Sequence, residues 1–271
     1  MVELQKKYQI GVRRFGIINW VGTYSLFKKE VLRFLTVSGQ TLFGPILTSI
    51  LFLTVISLAI GDQRADVLGV TYIKFLASGL IMMQVIQQSF AHSSSSLMMG
   101  KMMGTITDVV HSPLSSSEVV FAITFASAAR GVLIASASTL IFIFFIDLSI
   151  QNFFLWFIYL FLGGLVMGSL GVIVGLYADK FDQMSTVTNF IIVPLSFLSG
   201  TFYSIDRLPD FLKVLSNYNP FFHMIDGFRY SFIVVNTGGF LNHYIRDHCT
   251  RFTRSTNPRL EANLAARWRR R

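Results

Sequence analysis

Long apolar runs separated by short polar clusters set the pattern of this chain. Residues 153–178 hold no charged side chain in 26 positions. As a helix rising about 1.5 Å per residue, that run exceeds the roughly 30 Å hydrocarbon core of a bilayer. Within it Gly164, Gly168, Gly171 and Gly175 recur at spacings of four, three and four, which places them on one face and offers a strip of bare backbone to a neighbouring helix. Similar runs predict four more spans: about 41–60, with Pro45 near its entry; 71–91; a third helix from near residue 118 to about 146, its membrane part at 131–150; and 184–203. Pro194 predicts a kink in the last of these, with Ser196 or Ser199 re-satisfying the carbonyl that the proline leaves unpaired. The fold class is therefore all-α, a polytopic transmembrane protein with five spans.

The segments between the runs carry the rest of the pattern. Residues 1–35 are basic, and Trp20, Tyr24, Phe27, Val31 and Phe34 fall at helical spacing with Lys28, Lys29 and Arg33 off that line, which predicts a helix lying in the membrane interface. Its positive charge marks the cytoplasmic side. Gln84, Gln87 and Gln88 share one face of the second span, and amides in hydrocarbon need partners, so this face looks either into interhelical hydrogen bonds or onto a wet path for substrate. Residues 92–118 read as a polar break, because Ser93, Ser94, Ser95, Ser96, Gly100, Gly104 and the Ser112-Pro113 step interrupt a short helix at about 101–111. Arg130 reads as an anchor reaching the cytoplasmic boundary or as a contact for an anion. Residues 205–230 form two amphipathic pieces broken at Asn219-Pro220, too short and polar to cross, and predict an external, interfacial or re-entrant element.

Composition narrows the class further. Hydrophobic residues make up 52% and charged residues 14%, with 27 phenylalanines and a mean hydropathy of +0.57, values that belong to an integral membrane protein. The formal charge of +9 is concentrated towards the chain ends, which fits anionic lipid headgroups and topology better than nucleic acid. Cys249 is the single cysteine, so no intramolecular disulfide and no cysteine-only metal site is expected. The start of the chain is too polar for a cleavable signal. Gly100-Lys101 lacks the spacing of a phosphate loop and Met102 follows the lysine. The five histidines lie outside the predicted spans, no HExxH or GxSxG occurs, and no intramembrane carboxylate pair is present, so catalysis is not expected. A conduit driven from outside itself, an ion-coupled secondary transporter and a non-transporting scaffold remain open on these grounds.

Three stretches carry a resemblance: KKEVLRF at the end of the interfacial helix, TDVVHSPLSSSEVV before the third helix, and FIIVPLSFLSGTFYSIDRLPDFLKVLSNYNPFFHMIDGFRY. Together they resemble the permease subunits of ABC-2 type ATP-binding cassette exporters, over about residues 12–235. The resemblance implies a homodimeric, multi-pass permease of the bacterial inner membrane, contacting membrane lipids and exporting drugs, lipid-linked glycans or other amphipathic compounds. It implies a cytoplasmic ATPase on separate chains, which would bind ATP and Mg, and no enzymatic activity or bound cofactor of the permease's own. By the same resemblance the ATPase-facing stretches are 20–34 and 100–113, with Trp20, Phe27, Lys29, Glu30, Gly100, Thr105, Asp108 and Pro113 as coupling residues. The exit-side element is matched by 208–229, with Pro209, Asn219, Pro220 and Arg229, and the candidate translocation path holds Gln84, Gln87, Gln88, Pro194 and Ser196. The expected domains are an interfacial segment at 1–35, an ABC-2 type transmembrane domain at 36–235 and an atypical basic tail at 236–271. The family pattern calls for a sixth span there, yet residues 246–271 carry eight arginines and no apolar run of the needed length.

Overall fold

The computed structural model describes residues 18–60, 70–202, 216 and 218–232. Among them the regular elements are helices: α1 (Trp20–Thr36), α2 (Gly44–Ile60), α3 (Tyr72–Met102), α4 (Ile106–His111), α5 (Ser116–Ile146), α6 (Phe153–Tyr177), α7 (Phe181–Val187), α8 (Val193–Leu198) and α9 (Pro220–Arg229), with π-helical turns at Gly39–Phe43 before α2 and Thr188–Ile192 before α8. The basic tail at 236–271, Pro209 and most of the first amphipathic piece of the external element lie outside the described residues.

Three long helices form the core. α3 packs along both α5 and α6, which also pack on each other; Leu76, Ile81, Met82, Val85, Ile86 and Phe90 of α3 are wholly enclosed or nearly so. α1 lies across α5, and α9 crosses the opposite ends of α3 and α6. α2 stands against this core with Leu47, Leu51, Val55 and Leu58 exposed. Such apolar surface suits lipid rather than water. By length and apolarity the stretches Thr41–Ala59, Ser116–Ile146 and Phe153–Tyr177 are able to cross a membrane.

Three sequence expectations are corrected. The second helix does not break at the serines: it runs 31 residues to Met102. Ser93 and Ser94 turn their hydroxyls back onto the carbonyls of Ser89 and Phe90, and Ser95 onto that of His92, so the polar groups are satisfied inside the helix that they were expected to end. The predicted span at 184–203 is helical without a gap from Phe181 to Leu198 but holds a π-helical turn at Thr188–Ile192 ahead of the proline, with the Val193 amide reaching five residues back to Thr188. Pro194 follows that wider turn directly, and the turn and the proline together are the places where this helix departs from regular α-helical hydrogen bonding. In α1, Leu26, Glu30 and Phe34 are enclosed against the bundle while Trp20 and Tyr24 of the apolar line are 71% and 65% exposed. Arg130 does not extend to a boundary; it is buried and donates from Nη2 to Oε1 of Gln88.

Candidate functional site

The predicted site residues fall into three groups along the bundle. At one end, α1 and α4 meet the start of α5. Trp20 and Lys29 are exposed and Phe27 is half-buried. Glu30 is enclosed, accepting from the Ser96 hydroxyl at 2.7 Å and pairing with Arg33 at 3.1 Å. His92 lies 3.7 Å from the same carboxylate, edge-on to Phe34, and Arg33 Nη2 donates to the His92 carbonyl at 3.2 Å. A carboxylate so placed is stable only because its partners come from α3 as well as from its own helix.

α4 follows a tight reversal. Gly104 takes φ +73°, a conformation that costs little without a Cβ, and lets the chain leave α3 and turn. No residue of α4 is buried; Met102, Met103 and Val110 are 64%, 69% and 73% exposed, and Thr105 and Asp108 are exposed with them. Gly100 is the half-buried residue one turn before the reversal. Lys101 is engaged in structure: its ammonium donates to the carbonyls of Leu176 and Ala178, closing the C-terminal end of α6. Pro113 is exposed, but its carbonyl accepts from Asn19 Nδ2 at 3.1 Å.

In the bundle interior the glycine strip of α6 serves two helices. A Cβ on Gly164 would come within 2.8 Å of Ala128 Cα, and one on Gly168 would strike Ser127, both on α5. One on Gly171 would lie 2.5 Å from the Phe90 carbonyl oxygen, and one on Gly175 3.1 Å from that of Ser94, both on α3. Gln84 donates to Ser49 Oγ of α2 at 2.9 Å, Gln88 receives Arg130, and Gln87 is half-buried. Pro194 is exposed, and Ser196 is buried with its hydroxyl on the Ile192 carbonyl at 2.6 Å, not on the carbonyl four residues before the proline.

The third group closes the other end. Asn219 caps α9 by accepting from the Phe221 amide at 3.0 Å, and its Nδ2 donates to the Leu195 carbonyl at 3.1 Å and to Ser199 Oγ at 2.9 Å. Pro220 occupies the first position of α9, where its ring is preorganised. Arg229 is 4% exposed; Nη2 donates to the carbonyls of Gly200 at 2.7 Å and Thr201 at 3.0 Å, and the guanidinium lies 3.7 Å over the Phe75 ring. Asn219 and Arg229 thus fasten α9 to the end of α8 from both of its termini.

Sequence reasoning missed Asn19 and Glu118. Glu118 completes a capping box with Ser115, a signal legible as Ser-x-x-Glu, but it also accepts the Asn19 amide from 99 residues away, for which no local pattern exists. Among the described residues no group of His, Cys, Asp and Glu is arranged to hold a metal.

Residues 22–233 match the family model described as ABC-2 type transporter. The chain is 33% identical over 217 residues to the inner membrane transport permease YadH of Escherichia coli (strain K12), covering 80% of this chain and 85% of that protein. It is also similar to nodulation protein J of Neorhizobium galegae, 25% identical over 230 residues (79% and 81% of the two chains), and to nodulation protein J of Rhizobium leguminosarum bv. viciae, 23% identical over 228 residues (79% and 82%).

Proposed function

The chain belongs to the ABC-2 type transporter family, and from that premise we propose that this membrane transport permease is the membrane half of an ATP-driven exporter. ATP and Mg would bind a separate cytoplasmic ATPase, two permease copies would form the conduit among membrane lipids, and the cargo would be an amphipathic compound, drug or lipid-linked glycan. Similarity to an inner membrane permease supports the bacterial inner membrane as its location.

The observation that carries the reading is α4. This helix of six residues turns only Ile106 and Val109 partly inward, and with exposed Met102 and Met103 before it and exposed Val110 upon it, it presents adaptable apolar side chains outward. That is the form expected of a knob received by a partner. The basic charge of residues 1–35 puts this end on the cytoplasmic side, where an ATPase would be.

The test is reconstitution of the full chain into proteoliposomes with each candidate ATPase, measuring ATP turnover and cargo release. Turnover stimulated by the permease is expected, and Asp108→Arg, on the exposed face of α4, should lower stimulated transport about tenfold at unchanged membrane level. Release driven by an ion gradient without any ATPase would replace this reading with secondary transport. Neither activity would leave a scaffold.

A further inference from the structure

Glu118 joins the start of α1 to the start of α5 at one carboxylate. Oε1 accepts the backbone amide of Asn19, at the start of α1, at 2.5 Å, and Oε2 accepts that of Ser115, at the start of α5, at 2.7 Å. Asn19 answers with Nδ2 on the Pro113 carbonyl at 3.1 Å, while its Oδ1 caps α1 at the Gly22 amide at 3.0 Å. Leu114 lies so close to Gly22 that a Cβ there would come within 2.7 Å of its side chain. Glu118 is 9% exposed, so its hydrogen bonds are sheltered from competing water. A capping box explains the Ser115 bond. It explains neither the bond to Asn19 nor the one from Asn19 to Pro113.

The position of this join gives it a mechanical consequence. α4 buries none of its residues, and the segment that follows it, 112–115, ends in the join. α1 in turn is bound to the core farther along, where Glu30 meets Ser96 and Arg33 meets the carbonyl of His92. We propose that Glu118 is a positioning residue of the transport cycle: it holds the segment that follows α4 to the N-terminal end of α1, so that displacement of α4 by a docked partner moves α1, and through Glu30 the C-terminal part of α3, with it. The inference rests on the reading that the ATPase bears on α4.

The experiment uses the full chain in lipid nanodiscs in a Cys249→Ser background, with spin labels at Lys28→Cys on α1 and Asp108→Cys on α4, both exposed positions. A single narrow distance between the labels is expected, broadened at least twofold by Glu118→Ala. Glu118→Gln, which keeps one acceptor oxygen, should fall between. Asn19→Ser, which preserves a hydroxyl cap for α1 but is too short to reach Pro113, should broaden it less than Glu118→Ala. A second label pair at Ser149→Cys and Tyr218→Cys, at the other end, should stay unchanged in all three, separating loss of the join from loss of the fold. With unlabelled protein and an ATPase that co-purifies, Glu118→Ala should retain the bound ATPase and its turnover while cargo released per ATP falls about tenfold. An unchanged distance between positions 28 and 108 in Glu118→Ala, or full release per ATP, overturns the proposal. If no ATPase binds the unmutated chain, the functional reading fails, while the label distances still decide whether Glu118 holds the two helices together.

Discussion

Arg229 shows how much of this molecule depends on single polar side chains placed where water is scarce. Gly200, with φ +71°, ends α8 and turns its carbonyl, together with that of Thr201, away from the regular helical pattern; one guanidinium nitrogen satisfies both. The flat cation also covers Phe75, and Gly79 of α3 leaves the room it needs, since a Cβ there would sit 2.8 Å from Nη2. Arg229→Met keeps the stem but strands two carbonyls, at roughly 1–3 kcal/mol each. Lysine restores charge without the flat guanidinium that covers Phe75. The apparent melting temperature of the detergent-extracted protein should therefore fall in the order wild type, Arg229→Lys, Arg229→Met, with several degrees between the first and last. Equal melting of all three would show that the contacts contribute nothing. The basic residue was legible in the sequence as part of an exit-side pattern; its partners were not, because both are backbone carbonyls 28 and 29 residues away.

At the scale of elements, the glycine strip of α6 and the serine run of α3 are two halves of one feature. Gly171 faces Ser93 and the Phe90 carbonyl, and Gly175 faces Ser94, so the residues that looked like a helix break are the small side chains that let α3 and α6 approach. The glycines announced themselves by spacing, which is a local signal. The serines did not, because their role depends on the helix they meet. In α1 the apolar line was legible by its spacing, whereas the inward side, set by a buried Glu30 with partners from α3, was not. What stands opposite each glycine makes the strip testable. At Gly168 the obstacle is the hydroxyl of Ser127, which is able to rotate, whereas at Gly171 it is the rigid carbonyl of Phe90. Gly171→Ala should thus cost about 1–3 kcal/mol by overpacking and Gly168→Ala distinctly less. Thermal transitions of the two variants, with Gly168→Leu as a common severe case, measure the difference; equal transitions for the two alanine variants would mean that the strip is compositional.

For the whole molecule, direction across the membrane follows from α5. This helix runs from the join at Ser115 and Glu118 to Asp147, whose left-handed φ of 51° turns the chain into a short connection to α6. That connection is tied to the end of α9, since the amides of Gln151 and Asn152 both donate to the Ser231 carbonyl, at 2.9 and 3.1 Å. α4 and the connection at 147–152 consequently lie at opposite ends of the bundle, whatever the number of crossings elsewhere. The number itself is less direct: α3 is long enough but carries Gln84, Ser89, Ser93 and Ser94 on its buried surface, and the helical stretch from α7 to α8 contains a π-helical turn and ends at Leu198. Sidedness rests on charge. Residues 1–35 hold seven lysines and arginines against two glutamates, while the 147–152 connection has Asp147 alone, so the positive-inside tendency predicts α4 in the cytoplasm and the connection outside. In a Cys249→Ser background, Ser149→Cys should react with a membrane-impermeant thiol reagent in intact cells, and Asp108→Cys only after permeabilisation; both positions are exposed. Reaction of Asp108→Cys in intact cells, with Ser149→Cys protected, would invert the molecule and put α4 beyond reach of any cytoplasmic ATPase. Reaction of both from outside in fully inserted protein would contradict α5 as a membrane-crossing helix, leaving the close-packed α3, α5 and α6 core without its predicted place in the bilayer.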